Sequence, residues 1–324
     1  MSVHSSLPVR LLARVANRIV RPLSRSLGSR HVVSAHLYGR FLTVPAEHPL
    51  AAILIEFPQY NRPLGLAVEA LALSRTDNSA LVIIDVGANV GETIAVVEDR
   101  KPGLPSYLCI DADQDILQLC ALNHTGNSRV QVKHCYIGED EGAAVTLQDD
   151  GRSNPSIKSA ADDQSEGNSG YRRLVRLDTV AGPFAEAQGL ISLIKIDTEG
   201  YDFSVLRSAP RLLDKYKPAV YFEWYPKLIS NLGEEVWSGF EYLATFGYRH
   251  FVFFTGRGDY YCKVSEPDRL FLRGLSSVAL GDDSVGYFDV FASTQEVVCN
   301  QLVEASIAML DGPGTVKSRR RYLI

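Results

Sequence analysis

Leu81–Thr93 reads LVIIDVGANVGET, and Tyr107–Asp113 reads YLCIDAD. In the first stretch an apolar run reaches Asp85, crosses a turn of small residues and enters a helical pattern. In the second an apolar run ends in Asp111. Short runs of Val, Ile and Leu bounded by turn residues read as buried strands, and a strand, turn, helix and second strand make one unit of a parallel sheet. The turn lets backbone approach a ligand closely, and an acid ending the next strand accepts hydrogen bonds from ribose hydroxyls. The pair therefore predicts a nucleoside pocket at the carboxyl edge of the sheet.

The turn reads D-x-G-x-N-x-G and not G-x-G-x-x-G. A dinucleotide needs a diphosphate cradle, in which amides at a helix N-terminus face an anion. Here Asp85 ends the strand and Glu92 starts the helix. Two acids suit a cationic nucleoside without phosphate, such as S-adenosylmethionine with its ammonium and sulfonium groups. The residues expected to hold it are Asp85, Gly87, Asn89, Gly91, Glu92, Asp111 and Ala112, and a nicotinamide-dependent enzyme is disfavoured.

Working outward, Leu81–Val86, Tyr107–Ile110, Val130–Tyr136, Leu190–Ile196 and Ala219–Glu223 read as strands. Thr93–Glu98, Asp115–Asn123, Phe203–Tyr216 and Glu234–Phe246 read as the helices among them. This alternation predicts an α/β fold with a doubly wound, Rossmann-like sheet. Tyr248–Thr255, Tyr260–Val264 and Tyr287–Ser293 read as closing strands, partly antiparallel, with Glu266–Asp283 as a surface loop. Residues 149–171 are polar and without apolar periodicity, which predicts a long loop, either a lid over the substrate or a plain excursion.

A second constellation lies at Leu190–Leu206, LISLIKIDTEGYDFSVL. A buried strand carries Lys195, ends in Asp197 and is followed by Glu199 and Asp202. The next strand, AVYFEWYP, ends in Glu223. A lysine in an otherwise apolar strand calls for a partner, here Asp197 or Glu223. Asp202 reads as a helix cap.

With these motifs in order, the chain resembles the FkbM-type methyltransferases. DVGANVGET, CIDAD, LVRLDTV, LIKIDTEGYDFSVLRSA and KPAVYFEWY carry the resemblance over roughly Leu81–Tyr225, and FDVFAS fits the last strand. The resemblance implies a class I methyltransferase sheet of seven strands with the last antiparallel, S-adenosyl-L-methionine as donor, and a hydroxyl of a sugar, glycan or secondary metabolite as acceptor. Asp111 stands where the family commonly has Glu.

The expected chemistry is an in-line O-methyl transfer. Asp197 is the first choice of base, Glu199 and Glu223 follow, and Lys195 orients a carboxylate or stabilises a developing alkoxide. His250 is a further base candidate. The alternatives are an Mg2+ ion held by Asp197 and Glu223, which is not favoured, and a nucleoside-binding scaffold without catalysis. Trp224, Tyr225, Trp237 and Tyr201 are candidates to stack on the acceptor or to fill the core.

Of the 324 residues, 46% are hydrophobic and 22% charged, and the net charge of −5 excludes a general polyanion binder such as a nucleic-acid protein. Five scattered cysteines without a C-x-x-C pair predict reduced thiols and a cytoplasmic protein. Residues 1–46 hold no acid but seven arginines, of which Arg10, Arg14, Arg18, Arg21 and Arg25 share one side of a helix. That side is either a solvated face, a contact for a membrane surface or acidic partner, or part of a cleaved targeting segment. The expected organisation is an N-terminal helical extension over 1–80, a methyltransferase domain over 81–300, and a C-terminal helix with a basic tail over 301–324.

Overall fold

The computed structural model describes residues 32–76, 80–100, 105–148, 156–159, 172–281 and 285–311. Most of the Arg-rich segment, most of the 149–171 stretch and the basic tail lie outside them. The described chain opens with the hairpin β1 (Val32–Leu37) and β2 (Arg40–Pro45) and the helices α1 (Leu50–Glu56) and α2 (Arg62–Leu73). Two crossovers follow, through β3 (Val82–Val86), α3 (Glu92–Asp99), β4 (Ser106–Asp111), α4 (Gln114–Asn123) and β5 (Val130–His134). A small sheet then forms from β6 (Tyr136–Ile137), β7 (Ala144–Gln148), β8 (Ser156–Ser159) and β9 (Arg172–Val175). Next come α5 (Leu177–Gln188), β10 (Leu193–Ile196), α6 (Asp202–Arg207), α7 (Pro210–Tyr216), β11 (Ala219–Trp224), α8 (Pro226–Asn231) and α9 (Ser238–Thr245). The last elements are β12 (His250–Thr255), β13 (Tyr260–Ser265), α10 (Arg269–Gly281), β14 (Phe288–Ser293) and α11 (Glu296–Asp311).

The main sheet has the order β13-β12-β14-β11-β10-β3-β4-β5. β5, β4, β3, β10 and β11 are parallel, and β14 runs antiparallel between β11 and β12. This is the class I, Rossmann-like arrangement with an inverted last strand. The strand count is eight and not seven, because β13 hairpins back on β12 and adds an outer edge.

Each sheet face has its own core. Val82, Ile84, Ile194, Ile196, Val220 and Phe222 point to the side covered by α5–α10. Ile83, Tyr107, Leu193 and Tyr221 point to the other, covered by the β1–β2 hairpin, α1–α4 and α11. Asp85 and Lys195 each stand two residues after a member of this second set, Ile83 and Leu193, so the charged pair lies on the face that the N-terminal segment roofs.

Several local expectations are corrected. Residues 32–45 form a hairpin and not helix: Tyr38 and Gly39 are both left-handed (φ 47° and 76°), the geometry of a two-residue hairpin turn. Phe203–Tyr216 breaks into two helices because Pro210 restarts the chain after Ser208 and Ala209. Val130–Tyr136 divides after His134 between two sheets. Arg269–Gly281, expected as loop, is helix α10, with Leu272, Leu275, Ser276 and Ala279 buried at helical spacing. Within 149–171, Ser156–Ser159 pairs with β7 as strand β8. α11 runs unbroken from Glu296, so the expected boundary at 300/301 falls inside it. No helix among the described residues is long and apolar enough to cross a membrane.

Candidate active site

Between β3 and α3 the backbone is held by β4. The amides of Gly87 and Ala88 donate to the carbonyl of Ile110 (2.9 and 3.1 Å). The Asn89 amide donates to Asp111 Oδ2 (2.8 Å), and the Asp113 amide donates to Oδ1 of the same carboxylate (2.8 Å). Asp113 in turn caps α4, accepting from the amides of Asp115 and Ile116. Gly87 has φ +78°, and a Cβ built there would lie 1.9 Å from the carbonyl oxygen of Asp197. Only glycine lets the turn after β3 lie flush against the turn after β10.

Beside this turn opens a cleft. Gly87, Asn89, Glu92, Asp111 and Ala112 line it, and so do Asp197 and Glu199. Ile110, Ile116, Cys135 and Ile137 give it an apolar wall. Burial pushes the Cys135 thiol up to about 11, which keeps it neutral. Burial also pushes the carboxyl of Glu92 up to about 8 and that of Asp111 to about 6. Glu92 Oε2 is buried with no hydrogen-bond partner among the described residues.

Behind the cleft sits an ion triad. Lys195 Nζ lies 3.1 Å from Asp85 Oδ1 and 3.4 Å from Asp197 Oδ2, and it donates to the Gly87 carbonyl at 2.9 Å. Asp85 is fully buried, whereas the Asp197 side chain is 40% exposed. The nearby carboxylates hold the Lys195 ammonium well above the usual lysine range against the effect of burial. Among the described residues Lys195 makes no ion pair with Glu223; the register across β3 gives it Asp85 instead.

A family model for the methyltransferase FkbM domain matches residues 85–250. The chain belongs to this family. Among solved structures it is similar to the methyltransferase FkbM from Methylobacillus flagellatus KT, at 18% identity over 74% of this chain and a TM-score of 0.38. The chain spans 56% of the length of that protein. It is also similar to an O-methyltransferase from Bacillus cereus in complex with SAH, at 11% identity over 72% of this chain and 80% of that one, with a TM-score of 0.39. No curated protein sequence matches the chain.

In this FkbM domain, Gly91 lies behind the cleft, where a Cβ would meet His124 Nε2 at 2.6 Å and Cys120 Sγ at 2.9 Å. Glu199 takes a left-handed backbone (φ 53°), the kind of local strain that collects at functional turns. Asp202 does not cap its helix. One oxygen accepts from Thr198 Oγ1 (3.1 Å) and its amide (3.3 Å), and the other accepts from the Glu223 amide (3.2 Å), so it ties the turn after β10 to β11. Glu223 is 7% exposed and lies outside the cleft lining, and burial beside Asp197 and Glu199 pushes its carboxyl well up. His250 starts β12 at the opposite end of the sheet and contacts Ser265 Oγ (3.0 Å), so it is far from the carboxyl edge.

Trp224 is fully buried, stacks on Phe288 and donates to the Val236 carbonyl at 2.8 Å; it is a core residue. Trp237 is flanked by Arg269 and Arg273. Among the described residues no group of three or more His, Cys, Asp or Glu has the arrangement of a metal site.

Sequence reasoning missed the roof. His48 Nδ1 accepts from the Leu50 amide (3.3 Å), which leaves Nε2–H to donate to Asn89 Oδ1 (3.2 Å). Tyr60 is placed by Tyr38, whose hydroxyl donates to the Tyr60 carbonyl (3.2 Å). A Cβ on Gly258 would fall 1.9 Å from the Gln59 carbonyl oxygen, so this loop rests directly on the β12–β13 turn.

Proposed function

We propose that this chain is an S-adenosylmethionine-dependent O-methyltransferase that acts on a hydroxyl of a sugar, glycan or secondary metabolite. The residues fit the donor. Gly87 and Asn89 line the cleft from the turn after β3, Asp111 keeps a free lone pair on each oxygen for ribose hydroxyls, and the apolar wall suits a purine. Glu92 offers a buried carboxyl, without a hydrogen-bond partner on Oε2, to a cationic group. When bound, the donor supplies a methyl group on a sulfonium sulfur, which retains the electron pair of the broken bond.

The chain's own residues then have three tasks: hold the acceptor oxygen in line, take its proton and keep water out. The observation that carries the reading is the Lys195–Asp197 contact at the strand end beside the donor turn. Asp197 faces the cleft and accepts the hydroxyl proton as the new oxygen–carbon bond forms. Asp85 and the Gly87 carbonyl fix Lys195, which holds Asp197 in place; Asp85 is thus a positioning residue. Glu199 lies next to Asp197 on the same turn and orients the acceptor.

The test is isothermal titration with S-adenosylhomocysteine, followed by a mass-spectrometric screen of hydroxylated compounds for a gain of one methyl group. Asp111→Ala should weaken S-adenosylhomocysteine binding, and Asp197→Asn should leave it intact while lowering kcat by about 10²-fold or more. Absence of binding to the native chain would overturn the donor assignment.

A further inference from the structure

Three carboxyls stand in one row across adjacent strands. Lys195 is in register with Tyr221, and Tyr221 with Phe291, so two residues on, Asp197, Glu223 and Asp289 follow side by side. Glu223 and Asp289 are direct cross-strand partners. Two ionised carboxylates opposite each other would destabilise a sheet, so with no cation between them among the described residues the pair holds on to protons. The nearest cation, Lys195, is taken up by Asp85, Asp197 and the Gly87 carbonyl. Among the described residues neither Glu223 nor Asp289 has a salt bridge, and Glu223 Oε2 is buried without a hydrogen-bond partner. Burial pushes both carboxyls well above their ordinary range. Asp289 has the Tyr221 hydroxyl beside it, so the unfilled acceptor of the pair is Glu223 Oε2.

Aromatic rings flank the pair. Tyr225 lies two residues beyond Glu223 and Tyr287 two before Asp289, on the same face, with ring centroids 5.5 Å apart. Tyr60, from the N-terminal roof, lies within electrostatic reach of Asp197 and Asp289. Carboxyls flanked by tyrosine faces form the chemistry that recognises an ammonium group, through charge-assisted hydrogen bonds and cation–π attraction. An ammonium supplies three donors and the charge that lets the pair ionise, whereas a neutral hydroxyl supplies one donor and no charge.

Resting on the methyltransferase reading above, we infer that the acceptor carries a protonated amino group near its target hydroxyl, and that Glu223 and Asp289 bind that group under Tyr60. The carboxyl row then divides its work. Asp197, at the donor end, takes the proton, and the Glu223–Asp289 pair anchors the acceptor one and two strands away.

The experiment uses the full chain saturated with S-adenosylhomocysteine, so that the donor's own amino group is already accounted for. Ligand-observed NMR titrations compare probes that differ in one group: glucosamine against glucose, and cyclohexylamine against cyclohexanol. The expected result is that at least one amine binds about tenfold or more tighter than its hydroxyl counterpart. That advantage should disappear in Glu223→Gln/Asp289→Asn and shrink in Tyr287→Leu. S-adenosylhomocysteine affinity in these variants shows that they are folded. Equal binding within each pair, no binding of any probe, or an amine advantage that survives in the double variant would overturn the inference. If the nucleoside fails to bind, that counts against the donor site; the native chain and the double variant are then compared without it, and because amine binding at Glu92 is common to both, the difference between them reads the carboxyl pair.

Discussion

Replacing Gly87 by alanine tests the join between the two halves of the site. The new Cβ would stand 1.9 Å from the Asp197 carbonyl oxygen, and real Cβ contacts essentially never fall below 3.0 Å, so the two turns must separate by about 1.1 Å. Neither side yields easily. Gly87 N is bonded to the Ile110 carbonyl, and the Asp197 amide to the Val86 carbonyl at 3.0 Å. Overpacking of this kind costs about 1–3 kcal/mol, and a left-handed alanine adds about 1–2 kcal/mol. A misplacement of about 1 Å between reacting groups lowers turnover by about 10²-fold. Gly126→Ala separates the two costs, because Gly126 is left-handed (φ +82°) with nothing within 4 Å of its Cβ position. Urea melts and S-adenosylhomocysteine titrations on both variants give the comparison. Gly126→Ala should lose about 1–2 kcal/mol and bind normally. Gly87→Ala should lose about 2–5 kcal/mol and bind at least about tenfold more weakly. If Gly87→Ala binds within twofold of the native protein and melts like Gly126→Ala, the close approach of the two turns is not what the site depends on.

Lys195→Met strands Asp85 in the core and should cost about 3–5 kcal/mol in urea melts, much of it recovered in Asp85→Leu/Lys195→Met. Glu92 is pushed up from 4.5 to about 8, so the folded protein keeps a proton that the unfolded chain releases. Its contribution to stability is therefore full below about pH 4.5 and lost as pH rises through about 8, with a ceiling of about 4–5 kcal/mol. Melts of Glu92→Gln across this range should show a flatter slope than the native chain. Asp202→Ala removes three hydrogen bonds to one buried carboxylate and should cost about 2–4 kcal/mol by the same assay.

The parallel half of the sheet was legible because each strand announces itself by a short apolar run and a small-residue turn. The eighth strand was legible too: Tyr260–Val264 has the alternation of a closing strand, and only the family expectation of seven left it no place. Helix α10 escaped because Gly274 and the serines at 276 and 277 dilute an otherwise regular apolar spacing. The site's acids were found by position, but their partnerships were not. Asp85 meets Lys195 through the pairing of β3 with β10, a contact 110 residues apart in sequence that no local pattern encodes. The roof was illegible for the same reason, since His48 and Tyr60 gain their meaning only from the strand ends they cover.

Asn123 accepts from the Thr43 amide and donates both to the Thr43 carbonyl and to the Val90 carbonyl. One side chain thus fastens the leading hairpin to the donor turn, while Leu42, Val44, Leu50 and Leu66 fill the core beneath it. The segment that the family pattern shares begins at residue 85, yet the core it belongs to already takes in the hairpin that starts at Val32. Recombining this domain with a relative at the edge of the shared pattern would cut through its core. An exchange meant to move substrate preference has to carry the hairpin and its helices along with the sheet they cover.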